Sequence, residues 1–519
     1  MRIKTFTLNS RQEVVSKIVR EILNLFKLEI TGSCGEADYL QLSVVNRQLT
    51  PSVDGTGKGV TVESRLMLFD LQGNLQEYSF RGEGKGDERE AAARHRLIKL
   101  NLYHIFRKHL GAEAAPWGIL HGVRPTKIIH RWIRGGGSQQ EILARIQEDY
   151  ACSAEKANII VPMAFRQLPF LQTSDERTVS IYVGIPFCLT RCLYCSFPAN
   201  ILPGEKQLRQ FMDVFRRDLA AGKRAVEQHG FKVQNIYVGG GTPTSLPDEF
   251  FAEMLEMVYN AFYGENLVEF TVEAGRPDSI TPGKIEAMKR FKVSRVSVNP
   301  QTMQQRTLRL IGRQHTPAAV EEMFHALRGA IPHINMDLIL GLPGEKAEDV
   351  RDTLEKVTAL EPDDITLHAL AIKRGSRLKL LMEERHVELP SDEETRKMSE
   401  VALGFMERGG YQPYYLYRQG YMSGDLENIG CARPGAEGMY NIQIMEEHQT
   451  IIGIGGAATT KVVDHKAGRL RSVFNAKDLA TYLRDIDIYI EKRQQLLDSV
   501  YGAGPKEQHL DKGKMSIAY

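Results

Sequence analysis

From Ser180 to Ile372 the chain alternates short β-branched apolar runs with longer stretches in which apolar residues recur at helical spacing. Strands are predicted at Ser180–Ile185, Asn235–Val238, Glu269–Glu273, Arg295–Val298, Ile334–Leu340 and Asp364–Ala371. Helices are predicted between them, at Lys206–Gln228, Asp248–Tyr259, Pro282–Arg290, Pro317–Gly329 and Lys346–Ala359. Strand and helix alternating at this spacing make repeated βα units over a parallel sheet. Six such units are two short of a closed eight-fold barrel. The expected fold class is therefore α/β, with an open, partial (βα)6 barrel over residues 176–385.

The pattern changes on either side. Residues 1–175 read as an N-terminal α+β module: a helix at Arg11–Phe26, strand pieces at Tyr39–Val45 and Val62–Phe69, and a long helical pattern over Asp87–His109. Pro116–Lys127 is rich in aromatic, glycine and basic residues and reads as a turn packing Trp117, with a ligand contact as the alternative. Gly135–Ser138 is a loop, and Gln172–Arg177 is the linker into the barrel. Residues 386–519 form a C-terminal α+β extension, a candidate substrate cover. Its stretch Tyr411–Tyr440 is dense in tyrosine and glycine, with Tyr414, Tyr415, Tyr417, Tyr421 and Tyr440. Such residues build structure or face a flat aromatic ligand. A strand at Thr450–Gly456 and a closing helix at Ala476–Gln494 follow, and the last twenty residues are expected to be mobile.

Composition narrows the class. With 519 residues the chain is longer than one ordinary domain. Its 67 Lys and Arg nearly cancel its 65 Asp and Glu, and a net charge of +2 argues against a nucleic-acid binder or a basic membrane-surface protein. No apolar run is long enough to span a bilayer, and polar residues follow Met1-Arg2 where a secretory signal needs an apolar core. A cytoplasmic protein is expected, with its thiols reduced.

Three of the six cysteines fall in one loop, Phe187-Cys188-Leu189-Thr190-Arg191-Cys192-Leu193-Tyr194-Cys195, directly after the first barrel strand. Catalytic groups on such barrels come from the C-terminal strand ends and the loops beyond them. The same rim receives Gly239–Thr244 after the second strand, Glu273–Pro277 after the third, Gln301 after the fourth, Gly341–Gly344 after the fifth and Lys373–Gly375 after the sixth. Three clustered thiolates can hold three corners of an iron–sulfur cluster and leave one iron open to a small molecule. Structural zinc is the alternative. It requires a fourth ligand, and none follows within thirty residues, although Cys431 or a distant histidine could close such a site. A disulfide framework is disfavoured in a long, cysteine-poor chain.

On Cys188, Cys192 and Cys195 together with Gly239–Thr244, the barrel resembles the radical SAM superfamily. Tyr182–Cys188, with Gly184 where a histidine is common, resembles the oxygen-independent coproporphyrinogen III oxidase branch, as do Gly312–Thr316 and Asn335–Pro343. The N-terminal module and Tyr411–Ala458 are similar to the HemZ-type variant of that branch. The resemblance implies a [4Fe-4S] cluster held by Cys188, Cys192 and Cys195, with S-adenosylmethionine on the open iron. It implies cofactor contacts from Tyr182, Gly240, Gly241, Thr242, Glu273, Gln301, Arg313, Asp337 and Ala371, with Tyr194 packed on adenine. Arg313 would then meet the cofactor's carboxylate, Glu273 its ammonium, and Asp337 and Gln301 its ribose hydroxyls.

The implied reaction forms a 5′-deoxyadenosyl radical that removes hydrogen from two coproporphyrinogen III propionates. Each then loses carbon dioxide and an electron, and protoporphyrinogen IX results. A tetrapyrrole substrate and an electron donor such as flavodoxin or ferredoxin are the implied partners. Arg276, Arg374, Arg418 and Arg433 are candidates for the substrate carboxylates by position alone. Established members of the branch carry a further cysteine where this chain has Phe197, and relatives with Phe there include haem-carrying proteins. A haem-binding chaperone, and a radical methyltransferase or ring-opening enzyme acting on a tetrapyrrole, are the alternative functions.

Overall fold

The computed structural model describes residues 1–50, 59–111, 115–173, 175–195, 197, 199–372, 377–384, 387–419 and 426–502. Two compact units divide the chain, Met1–Phe165 and Arg166–Tyr519.

In the first unit five strands form one sheet, in the order Glu29–Ile30, Arg2–Leu8, Tyr39–Thr50, Thr61–Phe69 and Leu75–Glu83. Helices Glu13–Leu25 and Glu90–His109 supply Val19, Ile22, Leu97, Leu102 and Tyr103 to a core shared with Ile3, Leu42, Val44, Leu66 and Leu68 of the sheet. Trp117 is buried in a turn. Three further helices, Thr126–Arg134, Gln139–Tyr150 and Ala154–Gln172, are not evident in the apolar pattern alone.

The second unit is built on six parallel strands in sequence order: β1 (Thr178–Ile185), β2 (Lys232–Gly240), β3 (Glu269–Gly275), β4 (Arg295–Gln301), β5 (His333–Leu340) and β6 (Asp364–Ala369). Between them lie α1 (Glu205–Gln228), α2 (Asp248–Phe262), α3 (Pro282–Arg290), α4 (Pro317–Arg328) and α5 (Ala347–Ala359). The strands are buried almost throughout, as strands covered on both faces must be. Helix starts follow local chemistry. Thr281 and Thr316 each accept a backbone N–H three residues on, with Pro next in line, so α3 and α4 begin where a capped, proline-initiated helix should.

The C-terminal segment is part of the same sheet. After α6 (Asp392–Arg408), β7 (Gln412–Tyr417) and β8 (Asn428–Ala432) extend the β6 edge in antiparallel fashion, with β8 between β6 and β7. Beyond α7 (Met439–Glu446), β9 (Thr450–Gly455) runs parallel to β1 on the opposite edge. The hairpin of β10 (Thr459–Asp464) and β11 (Arg469–Phe474) continues the sheet, and α8 (Leu479–Tyr501) follows. The two strands that would be bare edges of a six-stranded sheet are thereby paired. The predicted sixth strand runs to Ala371, but the observed one ends at Ala369.

Five neighbour spacings of about 4.8 Å would put β1 and β6 roughly 24 Å apart in a flat sheet. Residues from the C-terminal halves of all six strands nevertheless line one cavity, so the sheet curves around it. Among the described residues no helix is long and apolar enough to cross a membrane.

Candidate active site

The cysteine loop is fixed at its base by glycines. Gly241 donates its N–H to Ile185 O (2.9 Å), and Thr242 donates to Phe187 O (2.7 Å). A Cβ on Gly241 would lie 2.4 Å from Phe187 O, and one on Gly240, whose φ is +117°, would lie 2.8 Å from Ile185 O. The resemblance assigns Gly240 and Gly241 to cofactor contact, and the backbone entering the cysteine loop approaches them closely as well. Gly184 has a similar cause: a Cβ there would meet Gly456 O at 2.6 Å, just beyond β9.

Farther along, Arg276 donates to Thr190 Oγ1 (2.6 Å) between the first two cysteines and is ion-paired with Asp278. Leu193 N–H bonds Ile311 O (3.1 Å), and Leu193 O accepts from Leu378 N–H (2.9 Å). The loop is thus held from the turn after β2, from the β3 exit and from the segments after β4 and β6.

Above it lies a cavity of about 410 Å³. Cys188, Cys192, Cys195, Tyr182, Tyr194, Gly240, Gly241, Thr242, Glu273, Gln301, Arg313, Asp337 and Ala371 all line it, so the structure gathers every residue singled out for cluster and cofactor. Arg313 donates to Asn299 O (2.6 Å) and to the Tyr194 hydroxyl (3.1 Å), while its Nε is buried without a partner. Gln301 is buried at φ +67°, a costly region for a residue with a side chain, and its Oε1 is also unpartnered. An unsatisfied donor and acceptor on one cavity wall are what a polar ligand would complete.

The carboxylates differ in state. Burial pushes Glu273 up to about 7, against the hydrogen bond it accepts from the Tyr237 hydroxyl (2.7 Å). Burial would also raise Asp337, but His368, Asn335 and Thr366 outweigh it and hold Asp337 below the usual carboxylate range. Asn335 Nδ2 donates to Asp337 Oδ1 at 2.7 Å, and His368 Nε2 lies 3.8 Å from the same oxygen.

The position-based arginines fare unevenly. Arg276 lines the cavity but is committed to Asp278 and Thr190. Arg418 is buried and is not among the lining residues. Arg433 sits at the wrong end: its N–H bonds Asp363 O (3.0 Å), its guanidinium is 3.7 Å from Glu361, and it lies over the Tyr411 ring. The cause is topological. β8 is antiparallel to β6, so the residue after β8 emerges where β6 begins. Lys373, Arg374, Gly375, Tyr421 and the residues after Gly502 lie outside the described residues.

Several cavity residues escape sequence reasoning. Ser297, Asn299, Asn335, Thr366 and His368 join the wall from the strands and Asn428 joins it from β8, while Tyr415 and Tyr417 of β7, named above as a face for a flat aromatic ligand, also line it. Polar residues at every second strand position carry the signal: Ser297, Asn299 and Gln301, then Asn335 and Asp337, then Thr366 and His368, mark the inward face. The floor is less legible. Glu269 accepts from the N–H of Met439 (2.8 Å) and Tyr440 (3.3 Å), fixing the start of α7, and Tyr440 stacks on Tyr237 at 4.4 Å. Asn441 and Met445 of α7 then reach the cavity.

The donor set suits a cluster better than zinc. Three thiolates of one loop line the cavity together, and a cubane takes each thiolate on a separate iron. Cys431, the distant candidate for a fourth zinc ligand, is fully buried in β8 opposite Ile365 and Pro413.

Residues 182–357 match the family model described as "Radical SAM superfamily", and the chain belongs to that superfamily. Its cofactors are accordingly a [4Fe-4S] cluster and S-adenosylmethionine. Within the superfamily it is one of the oxygen-independent coproporphyrinogen-III oxidase-like proteins, being 37% identical over 505 residues to HemZ of Bacillus subtilis, across 94% of this chain and 97% of that protein. It is also 27% identical to the heme chaperone HemW of Lactococcus lactis subsp. lactis, across 63% of this chain and 81% of the relative. The solved structure of the coproporphyrinogen III oxidase HemN from Escherichia coli superposes with a TM-score of 0.50 at 22% identity, covering 63% of this chain and 72% of that one, a likeness of fold.

Proposed function

We propose that the protein carries out the oxygen-independent oxidative decarboxylation of two propionates of coproporphyrinogen III, giving protoporphyrinogen IX. The carrying observation is the convergence on one cavity of the cysteine triplet, the Gly240–Thr242 turn, and the polar set Glu273, Gln301, Arg313 and Asp337. Cys188, Cys192 and Cys195 hold the cluster. Arg313 Nε and Gln301 Oε1 offer the donor and acceptor that S-adenosylmethionine would occupy, and ionised Asp337 would accept from its hydroxyls. When bound and reduced, the cluster and S-adenosylmethionine together supply a one-electron route to hydrogen abstraction.

The chain's own task is placement. Tyr415 and Tyr417 give the cavity an aromatic side against which a macrocycle can lie, and Gln419, Asn428 and Asn441 add polar contacts around it. Arg191, exposed in the cysteine loop, lines the cavity and is the cation best placed to meet a substrate carboxylate. A donor of the flavodoxin or ferredoxin kind and a reducing, cytoplasmic setting suit this chemistry.

Phe197 favours a second reading. It is 63% exposed on the cavity wall, where an apolar ring offers a surface to haem, and a relative named as a heme chaperone matches 63% of this chain. One experiment separates the readings. Cluster-reconstituted protein is incubated anaerobically with S-adenosylmethionine, a strong reductant and coproporphyrinogen III, and the products are weighed by mass spectrometry. 5′-Deoxyadenosine together with a tetrapyrrole lacking carbon dioxide supports the oxidase. Deoxyadenosine with intact propionates overturns the substrate assignment, and neither product from a sample with a full cluster favours haem binding.

A further inference from the structure

On the first three barrel strands, side chains from neighbouring positions act on one another within the active-site cavity. Tyr182 of β1 and Tyr237 of β2 are register partners, and Tyr237 is also the partner of Thr271 on β3. Glu273, two residues beyond Thr271, therefore shares their face of the sheet, and Tyr182, Tyr237 and Glu273 all line the cavity. Tyr237 donates its hydroxyl to Glu273 Oε1 at 2.7 Å. We propose that Tyr237 is a positioning residue for S-adenosylmethionine: its hydrogen bond orients the Glu273 carboxylate and favours its charged form, the form that meets the cofactor's ammonium. The role rests on Glu273 as the ammonium contact, and it is the same whichever tetrapyrrole reaction the cavity performs.

The ring of Tyr237 is held by others. It stacks on Tyr440 of α7 with centroids 4.4 Å apart and 22° between planes, and it lies 6.1 Å from the nearly parallel ring of Tyr182. Tyr440 is fixed in turn by its backbone N–H, which donates to Glu269. Gly239 supplies the room. A Cβ there would lie 2.8 Å from Glu273 Oε1 and 2.9 Å from Tyr237 Cε1. Gly239 is not one of the glycines at positive φ, so space rather than backbone conformation is what requires a glycine at this position.

Charge gives the hydrogen bond its consequence. Burial pushes Glu273 up to about 7, and the charge of Asp337 on β5 acts in the same direction. The Tyr237 hydroxyl, the Gly240 N–H and His368 of β6 oppose this and favour the carboxylate. Burial beside a carboxylate holds Tyr237 well above the usual phenol range, so it keeps the proton that it donates. Tyr182 and Tyr440 are raised by burial too and stay neutral beside it. Without the Tyr237 bond the balance tips toward a neutral carboxyl, which loses its charge attraction for an ammonium.

The test is equilibrium dialysis of the cluster-loaded protein against S-adenosylmethionine from about pH 6 to about pH 9, with iron and sulfide content checked in each variant. Wild-type affinity should rise through about pH 7 as Glu273 ionises. Tyr237→Phe keeps the stacked ring and removes only the hydroxyl. It should show the same rise about one pH unit higher, with roughly fivefold weaker binding near pH 7 and near wild-type binding at about pH 9. Tyr440→Phe removes a neighbouring hydroxyl but not this hydrogen bond, and its profile should match the wild type. Glu273→Gln should bind weakly and show no rise. Ionisation of the cofactor's own amine is common to all of these proteins and cancels between them. Equal weakening of Tyr237→Phe at every pH would mean a merely structural residue and overturns the proposal. So does a Tyr237→Phe profile that coincides with the wild type while Glu273→Gln is weak, or a Tyr440→Phe profile displaced as far as that of Tyr237→Phe. Wild-type binding by Glu273→Gln overturns the ammonium contact itself.

Discussion

Glu345, in the loop after β5, shows how one buried carboxyl couples stability to pH. It is 3% exposed, accepts from Thr302 Oγ1 (2.7 Å), and is pushed up to about 7 by burial. A raised carboxyl contributes stability that is complete below its ordinary value of 4.5 and is lost as pH rises through about 7. Glu345→Gln keeps the shape and removes the charge. The variant should be more stable than the wild type by on the order of 3 kcal/mol at pH 8, and the difference should vanish below about pH 4.5. Denaturant unfolding of the cofactor-free chain at both ends of this range checks it. Asp337 is the opposite case, a buried carboxyl held ionised by its neighbours. Asp337→Ala should leave iron and sulfide content unchanged while weakening S-adenosylmethionine binding roughly tenfold, as measured by equilibrium binding to the cluster-loaded protein. Unchanged affinity would remove Asp337 from the cofactor site.

Among the elements, the cysteine loop depends on its neighbours. Arg276 crosses from the β3 exit to Thr190, and its guanidinium is buried while Asp278 is only partly covered. Arg276→Ala should shorten the lifetime of the reconstituted cluster severalfold, seen as faster loss of visible absorbance and of bound iron. Arg276→Lys should recover the charge but only part of the lifetime, because an ammonium cannot bridge Thr190 and Asp278 as a fork does. Element legibility in the sequence followed the strength of local signals. The start of α3 is readable from Thr281-Pro282 and that of α4 from Thr316-Pro317, since cap and proline act within one turn. β7 and β8 are hidden in a tyrosine- and glycine-rich stretch. Gly430 reads as a breaker, yet it is needed there because a Cβ would lie 1.9 Å from the Tyr415 ring laid across it.

For the molecule as a whole, the division at Phe165 makes a prediction about folding. The first unit has its own sheet, the helices Glu13–Leu25 and Glu90–His109 and its own continuous core, while helix Ala154–Gln172 runs across the division. Residues 1–165 expressed alone should unfold cooperatively on heating, with near-native circular dichroism. A non-cooperative transition would mean that the unit depends on the rest of the chain. In the second unit, catalytic placement is a property of the whole sheet. β7 and β8 on one edge, together with α7 beneath, complete a cavity that six βα units only begin.

The amino-acid sequence by itself determined the six βα units, the cysteine triplet and the rim on which the marked loops gather. These depend on period, short motifs and strand direction, which are local properties of a chain. Even the inward face was written there, in polar residues at alternate positions of β4, β5 and β6. Tertiary structure alone decided which groups share the cavity with them. Arg433 lies at the far end because β8 runs antiparallel, and Tyr237 meets Glu273 because neighbouring strands bring them within 2.7 Å. Only packing revealed that Gly240 and Gly241 yield space to the cysteine loop's own backbone. Contacts between residues distant in sequence are set by sheet order, register and curvature, and no window along the chain contains them.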